Sequence, residues 1–343
     1  DTLLSTAEAP APLPPVCQSR VSAVDIGEGK SVGGPLATRE PGDTKAFRTT
    51  PAFDQSTLDI AAGLIESMKL GRGPAPDVIS IGASATDYVG HTFGTEGPES
   101  CAQVLALDKA LGGFFAKLEA SKVPFVVVLT ADHGGHDLPE RNRIHALPGA
   151  MRVDPDLAPM AVDAAVAESL HIEGFTIVGD GPFGDFYVSK DVSDADRPKV
   201  IAAAKAKLLA NPEVAAVFTE EDFKDYKPNT APVTEWTLLD RAAASHDPAR
   251  SGDLIVLLKP FVTPIMSATG GYVATHGSPW DYDRRVPILF WWPGVTGFEQ
   301  PNPVETVDIL PTLAALVGLK IDAPAIDGRC LDLDASGGDI CGK

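Results

Sequence analysis

An apolar stretch in residues 125–136, "FVVVLTADHGGH", runs directly into an acidic and an imidazole side chain, Asp132 and His133. Ionisable groups are rarely placed at the end of a buried strand unless they bind something. Gly134 and Gly135 follow, and glycine allows the backbone to approach a ligand closely. The segment therefore predicts a binding site at a strand end. An ordinary turn stabilised by the aspartate side chain is the alternative.

Two further segments carry the same residue types. Asp87 and His91 are four residues apart in "ATDYVGH", so a single helical turn would direct both side chains the same way. His276 precedes a glycine in "THGSPWDYDRRVPI". Two carboxylates and three imidazoles form a ligand set that suits zinc. A purely structural hydrogen-bonding role is the alternative for each histidine taken alone.

The remaining histidines lack this context. His136 and its neighbour Asp137 lie close enough to Asp132 to support the metal ligands from outside. His145, His171 and His246 have no adjacent carboxylate and glycine, and we expect them on the surface or in packing contacts.

Alternating strands and helices must position these segments. Apolar periodicity predicts an α/β fold, with a mostly parallel sheet flanked by helices. Ligands bind at the carboxyl ends of the strands in such sheets. The predicted helices cover residues 56–70, 99–120 and 305–319, and the predicted strands of the main sheet cover 76–84, 123–129, 252–260 and 286–294.

One stretch differs in its sequence pattern from the rest and lacks residues suited to catalysis or metal binding. Residues 151–234 alternate short strands and strong helices, which predicts a small α+β insertion subdomain. The core that binds metal would then consist of residues 1–150 and 235–343.

Charge excludes several classes of partner. The 343 residues carry a formal net charge of −19, so nucleic acids and anionic membranes would be repelled. No apolar run approaches the roughly 20 residues that a membrane-spanning helix needs. We therefore expect neither a nucleic-acid-binding surface nor a membrane span.

Four cysteines are present. Cys330 and Cys341 flank a short acidic loop and suit a local disulfide, which leaves Cys17 and Cys101 as the second pair. Four buried free thiols are the alternative. Disulfides would favour a periplasmic or secreted location.

Three segments in this order, "ATDYVGH", "TADHGG" and "THGSPWDYDRRVPILFWWPG", resemble the alkaline phosphatase superfamily. The branch they resemble most is that of bacterial periplasmic alkaline phosphatases and type I phosphodiesterases or nucleotide pyrophosphatases. The resemblance covers most of residues 75–330. It implies an alkaline-phosphatase-like fold and hydrolysis of small phosphate mono- or diesters through a covalent intermediate on a threonine or serine.

The resemblance also implies two zinc ions. Asp87, His91 and His276 match the ligands of one ion. Asp132 and His133 match the second ion, which in the family is completed by an aspartate from an earlier strand.

The first part of the chain departs from the family pattern. Between Asp1 and Pro76 no segment matches the family's first zinc-binding aspartate or its nucleophile, and neither "VSAVDIGEGK" nor Thr49 and Thr50 fit. The chain also begins without methionine on a linker-like Pro/Ala stretch. We therefore expect a C-terminal part that lacks the family's first third, contains no nucleophile and is inactive alone, unless a separate chain supplies the missing part.

Two alternatives stay open. Sulfatase-like and phosphoglycerate-mutase-like members of the superfamily share the second and third segments, whereas "ATDYVGH" followed by "TEGPE" favours the phosphatase branch. The other alternative is a metal-binding domain without catalysis, which the missing nucleophile would explain.

Overall fold

Helices supply most of the regular structure in the computed structural model, which describes residues 2–7, 9–321, 326–333 and 340–341. The helices of this part are α1 (Thr2–Ser5), α2 (Thr44–Arg48), α3 (Pro51–Ser67), α4 (Ala85–Phe93), α5 (Pro98–Ala120), α6 (Pro139–Ile144), α7 (Pro159–Leu170), α8 (Arg197–Leu209), α9 (Glu220–Phe223), α10 (Leu238–Ala243), α11 (Asp281–Arg284) and α12 (Ile309–Leu316). The strands are β1 (Val24–Gly27), β2 (Lys30–Val32), β3 (Val127–Leu129), β4 (Met151–Arg152), β5 (Ile177–Gly179), β6 (Gly184–Val188), β7 (Val214–Thr219), β8 (Leu254–Leu258), β9 (Val262–Thr263) and β10 (Leu289–Trp291).

The two long predicted helices near the site are observed as α3 and α5, which pack against each other. Leu58 and Ala61 of α3 and Ala110 and Phe114 of α5 form a small buried cluster. Both helices begin with a proline in the first turn, where its missing N–H is not needed. This helix pair forms the scaffold behind α4.

The largest core lies under a four-stranded antiparallel sheet with strand order β5-β6-β8-β7. Helices α7 and α8 contribute Val162, Val166, Val200 and Leu208 to this core, all of them almost fully buried. The apolar alternation of the strands turns one face of the sheet toward these helices.

Strand β8 corrects the predicted sheet assignment. Residues 252–260 were expected in the main sheet, but β8 pairs with β6 on one side and with β7 on the other. Its sequence is apolar throughout and all but one of its residues are buried, which is typical of a strand that is covered on both faces. The sheet of the predicted insertion, residues 151–234, therefore takes one of its two inner strands from beyond residue 234.

Strand direction also differs from the expectation. Strand β3 is shorter than predicted and pairs antiparallel with β10, and among the described strands β4 and β9 form the only parallel pair. Residues 76–84 form no strand, and Val78 in this stretch is 81% exposed. Apolar periodicity reports which side chains avoid water, but it does not report which backbone edges are hydrogen-bonded.

Both expected disulfides are present. Cys17 is bonded to Cys101 and joins the N-terminal region to α5, and Cys330 is bonded to Cys341. Most of the acidic loop between Cys330 and Cys341 lies outside the described residues. Within the described part, none of the helices has the length and apolar character needed to cross a membrane.

Candidate metal centre

Helix α4 places the first two candidate ligands. Asp87 and His91 are one turn apart, and Nε2 of His91 lies 3.4 Å from Oδ1 of Asp87. The helix is held at its start by the buried Asp54 of α3, whose carboxylate accepts the Ala85 N–H at 2.9 Å and the Gln103 side-chain N–H at 2.8 Å. Burial raises the pKa of Asp54, and the two hydrogen bonds oppose that rise.

His276 reaches the same point from a loop far along the chain. Its Nε2 lies 3.4 Å from Oδ1 of Asp87, and its ring centroid is 4.9 Å from that of His91. One ligand atom from each of Asp87, His91 and His276 lies within 4.8 Å of the others. The structure therefore brings together the three residues that the sequence predicted for one site.

His133 lies beside this cluster. Its Nε2 is 3.9 Å from Oδ1 of Asp87, and its ring stacks on that of His276 with centroids 3.4 Å apart. Oδ1 of Asp132 lies 3.6 Å from Nε2 of His133, but the Asp132 side chain is 89% exposed. Asp132 and His133 belong to no cluster of three such ligands among the described residues.

Two of the imidazoles are fixed by backbone carbonyls. Nδ1 of His91 donates to the Ala274 carbonyl at 2.9 Å, and Nδ1 of His133 donates to the Gly134 carbonyl at 2.8 Å. A carbonyl only accepts, so Nδ1 carries a hydrogen and, in the neutral ring, the lone pair is on Nε2, which faces Asp87. This tautomer is the one that binds a metal through Nε2.

Burial favours the neutral ligand form of His276. Burial lowers the pKa of His276, the neighbouring His133 lowers it further, and Asp87 opposes both effects. A neutral imidazole keeps the lone pair that a cation requires. The donor set of carboxylate and imidazole groups therefore fits a divalent metal such as zinc.

The loop of His133 is fixed by close backbone contacts. The Gly134 N–H donates to the carbonyl of Asp283 at 2.7 Å. A Cβ at Gly134 would lie 2.2 Å from the carbonyl oxygen of Tyr282. A side chain does not fit at this position, which explains why glycine follows the Asp-His pair.

A buried ion pair connects this loop to the end of α4. Nη1 of Arg141 lies 2.7 Å from Oδ1 of Asp137, and both side chains are almost completely buried. Oδ1 of Asp137 also accepts the Thr95 N–H at 2.9 Å, and Arg141 donates to the Phe93 carbonyl at 3.3 Å. Asp137 was predicted near the site, whereas Arg141 was not. The signal in the sequence is their spacing of four residues, with Asp137 just before α6 and Arg141 on it.

The other histidines lie outside the cluster, as expected. His145 is exposed and pairs with Glu96 at 3.2 Å. His171 ends α7 in the left-handed conformation, and His246 stacks on Phe223. His136 is buried and its Nδ1 donates to the Asp137 carbonyl at 2.9 Å.

Known proteins share the fold of this chain. A search of solved structures finds wild-type alkaline phosphatase PafA with a TM-score of 0.77 and 23% identity, covering 95% of this chain and 62% of that one. The fold is thus of the alkaline phosphatase type, as the sequence predicted. The profile of the type I phosphodiesterase / nucleotide pyrophosphatase family matches residues 19–279, and the chain belongs to this family.

Curated relatives are similar along nearly the whole chain. Alkaline phosphatase PhoK of Sphingomonas sp. is 52% identical over 331 residues, 96% of this chain and 59% of the relative. Alkaline phosphatase PhoD of Zymomonas mobilis subsp. mobilis is 48% identical over 336 residues, 97% of this chain and 58% of the relative. The chain spans less than two thirds of the length of these relatives.

Replacing Gly134 tests the close contact in the His133 loop. We expect Gly134→Ala to destabilise the protein by about 1–3 kcal/mol, because the added methyl group overpacks against the Tyr282 carbonyl. Urea unfolding measures the change. Gly112→Ala in α5 is the control, since a Cβ there has no neighbour within 4 Å. A loss at Gly134 no larger than at Gly112 would contradict the steric argument.

His136 gives the stability a defined pH dependence. Burial lowers its pKa from 6.5, while Asp283 and Asp137 oppose this effect. Below about pH 6.5 the unfolded chain takes up a proton that the folded chain does not. Stability from this group is therefore complete above pH 6.5 and falls as the pH drops below it, by up to about 1.4 kcal/mol per pH unit.

The measurement is the free energy of unfolding between pH 7.5 and 5.5, with a chelator present to exclude metal binding. We expect His136→Gln to lose less stability over this range than the unmodified protein. His171→Asn, at an exposed position where asparagine tolerates the left-handed backbone, should keep the original slope. Equal slopes for all three proteins would show that His136 does not resist protonation.

Proposed function

We propose that this chain carries a metal-binding part of a zinc-dependent phosphate-ester hydrolase of the alkaline phosphatase or phosphodiesterase type. The observation that carries the proposal is the convergence of Asp87, His91 and His276 within 4.8 Å. Family membership and the names of the two curated relatives support the same reaction class.

Asp87, His91 and His276 would hold one zinc ion. Three protein ligands leave a fourth position open, which is the pattern of catalytic rather than structural zinc sites. Zinc bound there would supply a Lewis acid that neutralises negative charge on a phosphoryl group. The protein residues contribute the Asp87 carboxylate and two imidazole lone pairs, and that of His91 is already oriented by a backbone carbonyl.

A second zinc ion would use Asp132 and His133 together with a ligand from outside these 343 residues. The exposure of the Asp132 side chain supports this view, because an open carboxylate can still gain partners. Two protein ligands are fewer than a zinc site requires. We therefore propose that the second site is incomplete in this chain.

The nucleophile is also proposed to lie outside the chain, in another part of the same protein or on a separate chain. The hydroxyls of Thr50 and Thr86 are poorly suited to act as the nucleophile. The Thr50 hydroxyl donates to the Phe47 carbonyl at 2.8 Å, and the Thr86 hydroxyl oxygen is buried without a hydrogen-bond partner among the described residues. The substrate would be a small phosphate mono- or diester, and the two disulfides support a periplasmic or secreted location.

Zinc titration against a chromophoric chelator tests the metal site directly. We expect one tight site and one weak site, because only the first has three ligands. His276→Ala should weaken the tight site at least about tenfold. His145→Ala removes an exposed histidine outside the cluster and should leave both affinities unchanged. Failure to bind zinc, or equal binding by His276→Ala, would contradict the assignment.

Hydrolysis of p-nitrophenyl phosphate and bis-p-nitrophenyl phosphate tests the reaction. Without the nucleophile we expect this chain to release p-nitrophenol at best very slowly, and a longer product of the same gene to be at least about a thousandfold faster. Turnover by the chain itself at roughly 1–1,000 per second would refute an external nucleophile. Thr50 and Thr86 would then be the first residues to replace. A longer product that binds zinc but hydrolyses neither ester would favour a metal-binding domain without catalysis.

A further inference from the structure

Asp283 of α11 lies between the two loops that bring histidines to the centre. It is 4% exposed, and its Oδ2 accepts the Ser278 N–H at 2.8 Å, two residues after His276. Its own backbone carbonyl accepts the Gly134 N–H at 2.7 Å, next to His133. One residue thus ties the backbones of both loops together.

The second carboxylate oxygen of Asp283 is not used by these bonds. Oδ1 is buried and has no hydrogen-bond partner among the described residues. A buried carboxylate oxygen without a donor is costly, so a donor is expected close to it. The neighbouring groups indicate which donor this is.

His276 is the candidate donor. The Nδ1 atoms of His91 and His133 are held by backbone carbonyls, whereas no hydrogen bond to Nδ1 of His276 is formed by the described residues. A histidine that binds metal through one nitrogen almost always donates its other N–H to a carboxylate, a carbonyl or a water molecule. His276 therefore needs an acceptor, and Asp283 offers one.

A small cavity beside His276 and Asp283 leaves room for such a contact. His276, His136 and Asp283 line one small cavity of about 10 Å³, close to the least that a single water molecule needs. His136 cannot be the donor itself, because its Nδ1–H is engaged by the Asp137 carbonyl and its Nε2 is then an acceptor. Of the two histidines that line the cavity, His276 is therefore the one that can donate to Oδ1, either directly or through one water molecule.

We propose that Asp283 is the positioning residue of His276. Its Oδ1 accepts the Nδ1–H of His276, directly or through a single water molecule in the cavity, so that Nε2 points to the Asp87 oxygen. Its Oδ2 and its carbonyl oxygen keep the loops of His276 and His133 in register. This proposal rests on the proposed metal site but assigns a role to a residue that would not touch the metal.

Two substitutions at Asp283 distinguish the role of its charged Oδ1 acceptor from its hydrogen bond to the backbone of the His276 loop. In Asp283→Asn the amide oxygen can still accept the Ser278 N–H, but the other position becomes a donor that cannot accept from His276. We expect its zinc affinity to fall roughly 10–100-fold and the visible spectrum of the cobalt-substituted protein to change. Asp283→Ala loses both acceptors and should bind zinc more weakly still.

A matched control comes from α7, which packs against the four-stranded sheet. The buried Asp163 accepts the Thr176 N–H at 2.6 Å and the Ile177 N–H at 3.0 Å, so Asp163→Asn also disturbs a buried carboxylate with backbone donors. It should lower the melting temperature but leave zinc affinity and the cobalt spectrum unchanged. Circular dichroism checks that each variant is folded.

The outcomes distinguish this proposal from the proposed function. If the unmodified protein binds zinc and Asp283→Asn binds it equally well with the same cobalt spectrum, the role of Asp283 is refuted and the metal site stands. If the unmodified protein binds no zinc, both are refuted. A measurement that needs no substitution is the ¹⁵N spectrum of the seven histidines in the zinc-loaded protein. His276 should be protonated at Nδ1, and protonation at Nε2 would overturn the proposal.

Discussion

The centre depends on one carboxylate oxygen, Oδ1 of Asp87, which three imidazole rings face. The Nε2 atoms of His91, His276 and His133 lie 3.4, 3.4 and 3.9 Å from it. Only the first of these distances follows from local structure, because Asp87 and His91 share α4. The other two rings come from loops that are distant in sequence. Polar groups gathered in a half-buried place lose hydration, so the surrounding backbone must hold them where a cation can compensate for that loss.

Buried carboxylates provide much of this support. Asp54 fixes the start of α4, Asp137 fixes its end, and Asp283 connects the two loops. The pair of Asp137 with Arg141 contributes little net stability, because desolvation of two charges offsets most of their attraction. Its hydrogen bonds nevertheless leave few other arrangements for the chain between α4 and the His133 loop. The supports of the site are thus polar contacts, which net stability alone would not explain.

The sequence predicted the candidate ligands better than it predicted their supports. Asp87 and His91 are visible because helical spacing places them on one face, and the segment around His276 is visible because it resembles a family. Asp54 accepts a hydrogen bond from a residue 31 positions away, and no local pattern reveals a contact between two packed helices.

The same limit applies to the prediction of the fold. Apolar runs showed that β8 is buried, but its pairing with β6 and β7 depends on contacts that periodicity does not encode.

An acidic chain can bind the proposed anionic substrate only if a cation binds first. The chain carries a formal net charge of −19, and the centre itself consists of carboxylates and imidazoles. Among these imidazoles, His276 has a pKa that burial lowers. A phosphate ester approaching this surface would be repelled. A divalent cation would be attracted to the same surface, and once bound it would invert the local field that the ester meets. The acidity of the chain would therefore favour the cation, and the proposed ester would follow only after the cation has bound.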